Sequence, residues 1–477
     1  MSHLSTVQRV AKNTGIIIIG EIICKIVALF TIIYLARYLH PAEFGKYSFV
    51  FAYLAFFGII TDLGLRMILV REMSREALIT SKLIGNTYII KLILTVFAVI
   101  LSMVIITLTS YPTDTTSYIY IAAFALLFMS FSDFYTAIFQ ANLKMEYNII
   151  ARIIFRILFA ILVLGIIFSH GTLMQVMVVM VFSEMVKMVI SYLYSRKFAK
   201  PQFEIDFRLW KYLFKEALPL ALSSVIWIIY SQIDIVMLSP MKGDASVGIY
   251  SAAYRLFEPL VFIGSALMLS MFPLMSKYFK NSKEKLIKSY ELSVKYLLII
   301  ALPVAIGITF MADKIILLIY GTEFANAATT LQILIWGLVF IFQYRIFLDL
   351  LVAMEKQKIS TLSMGVCAIV NVTLNFMLIP ILSYNGAAIA TLITRAVLFI
   401  ASFYFVSKHL QVLPIHKIAI KPVISGLVMG AFMYYFIDVN MFLLVPLAAI
   451  VYLMVLLALK TFSEEDWDIV KRMLGRE

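Results

Sequence analysis

Charge is what this chain is shortest of. Only 14% of its 477 residues are Asp, Glu, Lys or Arg, where an average soluble domain carries about 25%. With 63% of residues hydrophobic and a mean hydropathy of +0.98, a water-soluble fold is excluded, because no such fold hides so much apolar side chain. Cysteine is nearly absent: Cys24 and Cys367 lie inside apolar runs and read as small buried hydrophobes, which excludes a disulfide framework or a thiolate metal centre. The five histidines, His3, His40, His170, His409 and His416, are not spaced as metal ligands, and no G-x-S-x-G elbow or glycine-rich phosphate loop occurs. No enzyme chemistry, ATP hydrolysis, metal or cofactor is therefore expected. Alternating ten-residue segments are also missing, which argues against a transmembrane barrel.

Apolar windows of about 20 residues, long enough to span a bilayer, are abundant instead. The first is too long for a signal-peptide core and lacks a clear small-residue cleavage site, so it reads as a retained span. Fourteen spans are predicted, beginning with 13–39 and 42–63 and including 359–382 and 386–410. Positive charge supports this count. Lysines and arginines gather at both ends and in even-numbered connections, whereas the odd ones hold only Arg37, Lys46, Lys242 and Lys314, which puts both termini in the cytoplasm. The net charge of +13 is accounted for by these topology determinants and by attraction to anionic lipid, not by nucleic acid.

The stretch LARYLHPAEFGKYSF at 35–49 has a degenerate copy, VMLSPMKGDASVGIYSAA, at 236–253: Ala42, Gly45, Tyr47 and Ser48 return as Ala245, Gly248, Tyr250 and Ser251, each 203 positions later. Met73-Ser74-Arg75 is echoed by Met275-Ser276-Lys277. Spans one to six and seven to twelve match in order and orientation, a parallel repeat of the kind used by transporters that rock two halves about a midplane site. The expected fold class is thus an all-α integral membrane protein of about fourteen transmembrane helices, two parallel six-helix repeats plus two C-terminal helices. Its parts are a six-helix bundle (1–195), a basic, aromatic cytoplasmic linker acting as hinge (196–212), a second bundle (213–410), two additional helices (411–460) and a cytoplasmic tail (461–477).

LARYLHPAEFGKYSF, TDLGL at 61–65, SQIDIVML at 231–238, GIYSAAYRLFEPL at 248–260 and NVTLNFMLIPILSYNGAAIATLITR at 371–395 together resemble the polysaccharide-biosynthesis flippases of the multidrug/oligosaccharidyl-lipid/polysaccharide exporter superfamily. The resemblance runs over about 12–410, and His40 stands where members usually have Gly. It implies a MATE-like fold and a flippase carrying a phosphate- or pyrophosphate-linked isoprenoid oligosaccharide from inner to outer leaflet of the cell membrane. The last two spans would flank a groove for the isoprenoid tail. Implied partners are membrane lipids, the lipid-linked oligosaccharide and other glycan-assembly proteins.

Intramembrane charges are the candidate site, because each costs roughly 2.5–3.5 kcal/mol on insertion scales and needs a partner, a wet cavity or an interface. Glu21/Lys25 and Arg345/Asp349 are one helical turn apart, Arg255/Glu258 and Glu184/Lys187 three residues apart, so each pair can meet on one helix face. Such pairs serve either local neutralisation or a cavity lining, and both readings stand. Lys91 and Lys295, near cytoplasmic ends, are expected to snorkel. Arg156 and Arg395 have no opposite charge within four residues. Lys25, Arg156, Arg255, Arg345 and Arg395 are the candidate cationic cavity, since guanidinium forks can receive a diphosphate headgroup leaving water.

Asp62 reads as a surface or cap residue, and Asp133 has no partner on its own helix. Asp234, near the external end of span seven, either binds a coupling proton or sodium ion or bonds Arg37 or a hydroxyl. Asn371 and Asn375, one turn apart, suit a bond across helices. Competing functions are a multidrug or cation exporter, a peptidoglycan-precursor flippase and a membrane glycan polymerase or ligase. The short external connections argue against the last.

Overall fold

The computed structural model describes residues 6–75, 80–198, 201–462 and Asp466. The expected tail therefore lies outside the described residues, apart from Thr461, Phe462 and Asp466. In an apolar sequence the backbone must bond to itself, and helices do so within one segment. No strand occurs among the described residues. In chain order the helices are α1 (Thr6–Asp62), α2 (Leu65–Arg75), α3 (Thr80–Leu108), α4 (Thr113–Ala141), α5 (Met145–Phe168), α6 (Leu173–Ser195) and α7 (Phe207–Lys242). They continue with α8 (Asp244–Asn281), α9 (Lys283–Tyr320), α10 (Ala327–Ala353), α11 (Gln357–His409), α12 (Ile415–Tyr435) and α13 (Met441–Ala458).

Among the described residues twelve helices are long and apolar enough to cross a membrane, not the expected fourteen. The difference lies in α1 and α11, whose 57 and 53 residues would run about 80 Å if straight, against a hydrocarbon core of about 30 Å. Neither is straight. α11 has a non-helical residue at Ser383 (φ 51°, ψ −133°). A Cβ on Gly386 would lie 2.3 Å from the carbonyl oxygen of Leu378, and the Asn371 amide donates to Thr394 Oγ1 at 3.4 Å. Those contacts need a return, not a rod.

Contacts of α1 give the same result at His40. Thr107 with Tyr120 and Thr95 with Ser130 set α3 antiparallel to α4, and Thr136 with Asn148 closes α4 on α5, so α3 and α5 run in one direction. The first arm of α1 follows α5, from Glu21–Arg152 to Tyr38–Gly171. The second arm opposes α3, from Tyr53–Ser102 to Asp62–Lys91. The chain therefore reverses at His40.

At that reversal His40 has φ 57°, ψ 171°, and Gly243, its counterpart 203 positions on, has φ 79°, ψ 173°. The internal repeat thus extends to backbone conformation. Glycine adopts this region freely and a histidine is strained in it, at a cost of about 1–3 kcal/mol. His40→Gly should therefore raise the thermal unfolding midpoint in detergent by several degrees; an unchanged or lower midpoint would show that the histidine side chain outweighs the strain.

The chain forms two compact units, Met1–Gly248 and Ile249–Glu477. In the first, the two copies of the repeated stretch touch through their glycines. A Cβ on Gly45 would lie 1.7 Å from the Asp244 carbonyl oxygen, and one on Gly248 would lie 1.9 Å from that of Pro41. Further down, Leu213 and Ala217 of α7 join an apolar core with Leu65, Leu69, Ile84 and Phe134. The linker is clamped to α3: Gln202 N–H donates to Ser81 O, and Asp206 N–H and Trp210 Nε1–H both donate to Asn86 Oδ1, at 2.8–2.9 Å. Lys82 lies 2.8 Å from Asp206 and holds that carboxyl below the usual carboxylate range.

In the second unit α12 and α13 pack on α9 through Met429, Met433, Leu444 and Ala448 against Ile299 and Met311. Tyr452 donates to Ile299 O at 3.0 Å, and Lys314 to Ile437 O at 2.5 Å.

Candidate functional site

The first unit gathers charge where the first arm of α1 meets α5 and α6. Glu21 receives both guanidinium nitrogens of Arg152, one of them at 3.1 Å. Arg156 stands one turn further along α5. Its guanidinium carbon is 5.3 Å from the Phe155 ring centroid, and the Lys187 ammonium on α6 is 5.0 Å from the same ring. Lys187 in turn pairs with Glu184 at 2.5 Å, and Glu184 is 2% exposed. Lys25 is exposed on α1, while the buried Cys24 lies within electrostatic reach of Arg152, Arg156 and Glu21. Exposed Asp133 faces Glu184. Four cations therefore stand against three acids, and the cluster stays positive.

Arg152, which is not among the candidates chosen from the sequence, belongs to α5 and to this cluster. The signal that could have found it is its i,i+4 spacing from Arg156, which puts both on one face of α5.

The second unit contains the other three candidates. Arg395, on the returning arm of α11, is 3% exposed, and its guanidinium carbon lies 4.4 Å from the Phe257 ring centroid. Gly337 of α10 makes the seat: a Cβ there would meet Nη1 of Arg395 at 2.4 Å. A guanidinium on an aromatic face in low dielectric is a stacked, pre-oriented cation. Arg255 pairs with Glu258 at 3.9 Å, and Arg345 with Asp349 at 3.1 Å, so these two same-face pairs form as the spacing predicts. Lys25 and Arg156 belong to the first unit, and Arg255, Arg345 and Arg395 to the second. Asp234 is 3% exposed on α7.

Two lysines depart from expectation. Lys91 does not snorkel: it is 1% exposed and bonds Asp62 Oδ1 at 2.8 Å. Asp62 also caps α2 by accepting from Arg66 N–H at 3.3 Å, so the cap reading holds but misses the partner. Lys295 instead pairs with Asp466, which also accepts from Tyr296 O–H at 2.6 Å. A buried ammonium costs less beside a carboxylate than reaching for water along an occluded path. Asn371 does bond across the two arms of α11, donating to Thr394 Oγ1, while Asn375 donates to Asn371 Oδ1 at 3.1 Å along its own arm. Among the described residues no group of three or more His, Cys, Asp or Glu is placed to hold a metal ion.

Residues 10–279 match the family described as polysaccharide biosynthesis protein, and residues 219–377 match the family described as MatE. The chain is 25% identical over 414 residues to the capsular polysaccharide biosynthesis protein CapF of Staphylococcus aureus, which covers 83% of this chain and 98% of that one. It is 24% identical over 191 residues to the probable low-salt glycan biosynthesis flippase Agl15 of Haloferax volcanii, 40% of each chain. Its fold is similar to that of the lipid II flippase MurJ in an inward closed conformation, with a TM-score of 0.77, 16% identity and coverage of 96% of this chain and 99% of that one.

Proposed function

The chain belongs to the polysaccharide biosynthesis protein family, and from that membership we propose that it flips an oligosaccharide, linked through phosphate or pyrophosphate to an isoprenoid, from the cytoplasmic to the outer leaflet of the cell membrane. It is a multi-pass membrane flippase, not an enzyme. The observation that supports the substrate reading is Arg395: a guanidinium 3% exposed and stacked on Phe257 is a cation pre-oriented for a phosphate group. Lys25, Arg156, Arg255 and Arg345 would share the headgroup with it as the two six-helix halves, joined by the 196–212 linker, open alternately to each side.

Fourteen crossings follow if each arm of α1 and of α11 spans once, with both termini cytoplasmic. α12 and α13 would flank the isoprenoid tail, Asp234 would take the coupling proton or sodium ion, and other glycan-assembly proteins would supply and use the substrate. A peptidoglycan precursor is the second reading, favoured by the likeness in fold to MurJ and by the same phosphate chemistry.

Deleting the gene should abolish surface glycan and leave its lipid-linked precursor on the cytoplasmic side, with the wild-type gene restoring both. Intact glycan with stalled cell-wall synthesis would select the second reading.

A further inference from the structure

One side of the connection before α7 is bound to protein and the other is not. Glu204 and Asp206 face Lys82 of α3, at 3.7 and 2.8 Å, and Gln202 bonds the backbone at Ser81. The residues between them do the opposite: Phe203, Ile205 and Phe207 are 64%, 57% and 73% exposed. Large apolar side chains are ordinary on a lipid-facing span, but Phe203 and Ile205 belong to a connection and Phe207 begins the helix. Phe203 touches the protein edge-on at Tyr88, with ring centroids 5.6 Å apart, so the apolar face adjoins the first turns of α3.

Cations accompany this face. Arg208, Lys211 and Lys215 are exposed and form no ion pair among the described residues. The nearby acids are already satisfied, Glu204 and Asp206 by Lys82 and Glu216 by Arg71 at 2.9 Å. The surface therefore offers apolar side chains beside uncompensated positive charge, a combination that suits a headgroup boundary of anionic lipid and disfavours a neutral one.

We propose that the connection is an anionic phospholipid site: Phe203, Ile205 and Phe207 enter the headgroup–acyl boundary while Arg208, Lys211 and Lys215 hold lipid phosphates. A lipid bound there braces the clamp between α3 and α7. The proposal does not depend on which substrate is moved.

Trp210 reports on it directly. In the full-length chain with Trp227, Trp336 and Trp467 replaced by Phe, the protein is reconstituted into phosphatidylcholine vesicles. These contain either brominated phosphatidylglycerol or, at the same mole fraction, brominated phosphatidylcholine. Quenching by the anionic lipid should exceed that by the zwitterionic one by about two-fold or more, given the pull of clustered cations on anionic headgroups. The triple change Arg208→Gln, Lys211→Gln, Lys215→Gln should equalise the two lipids. Phe203→Ser with Ile205→Ser, which leaves the charges in place, should weaken quenching by both. Equal quenching in the parent protein overturns the proposal. So does an absence of quenching accompanied by cross-links from position 205 to a second copy, which would make this a surface between chains.

Discussion

Arg395→Ala should cut lipid-linked glycan transport in proteoliposomes about a hundredfold at unchanged protein level. Truncating one partner of a buried charge contact costs about 3 kcal/mol, and each 1.4 kcal/mol is a factor of ten. Arg395→Lys keeps the charge but loses the planar fork and the stacking on Phe257, so it should fall between wild type and Ala. Gly337→Ala tests the same seat from the other side. Its new methyl would stand 2.4 Å from Nη1 and 2.9 Å from Cδ of Arg395, all side-chain atoms, so the Arg395 side chain must shift from its seat while the helix backbones need not. Transport should then fall about tenfold with the unfolding midpoint little changed. Wild-type transport by Arg395→Ala would remove Arg395 from the site and leave it a packing residue.

Gly45→Ala should be as damaging for a different reason. The atoms its Cβ would meet are the Asp244 carbonyl oxygen at 1.7 Å and the Gly248 nitrogen at 3.0 Å, both backbone, so nothing soft can yield. Carbon–oxygen contacts settle near 3.3–3.6 Å, so the two turns would have to part by more than about 1 Å, at a cost of about 1–3 kcal/mol. Gly248→Ala meets Pro41 O at 1.9 Å and should reproduce the effect. The expected result is protein that inserts in the membrane but transports at under about a tenth of the wild-type rate, with a lower unfolding midpoint. Because both variants break one contact, the double variant should be little worse than either alone. Additive losses, or wild-type behaviour of either single variant, would show that the turns do not need to touch.

What could be read in the sequence was whatever depends on near neighbours in the chain. The breaks at 40–41 and 383–385 fall on His40 and Ser383, where the helices turn back, because a change of direction needs local residues that stop an apolar run. Arg345 with Asp349 and Glu184 with Lys187 form as their spacing implies. Partners on different helices left no such trace. Lys91 finds Asp62 29 residues away and Arg152 finds Glu21 131 residues away, and only the folded bundle brings them together. Gly337 is a further case: nothing near it in sequence marks it as the seat of a guanidinium 58 positions later. Gly45 and Gly248 stood out as repeated residues, but that each rests on the other copy's turn is a fact of packing.

The return at Ser383 also bears on how the chain is made. Asn371 and Asn375 are each costly to place alone in lipid, yet their acceptors, Asn371 itself and Thr394, lie on the same helical pair. The two arms can therefore satisfy these amides as soon as residue 394 clears the ribosome and the insertion machinery, before α12 and α13 have been made and without help from the spans already inserted. Biogenesis of this region then has a natural unit, a helical hairpin released sideways into the bilayer as one piece, with these two amides already paired.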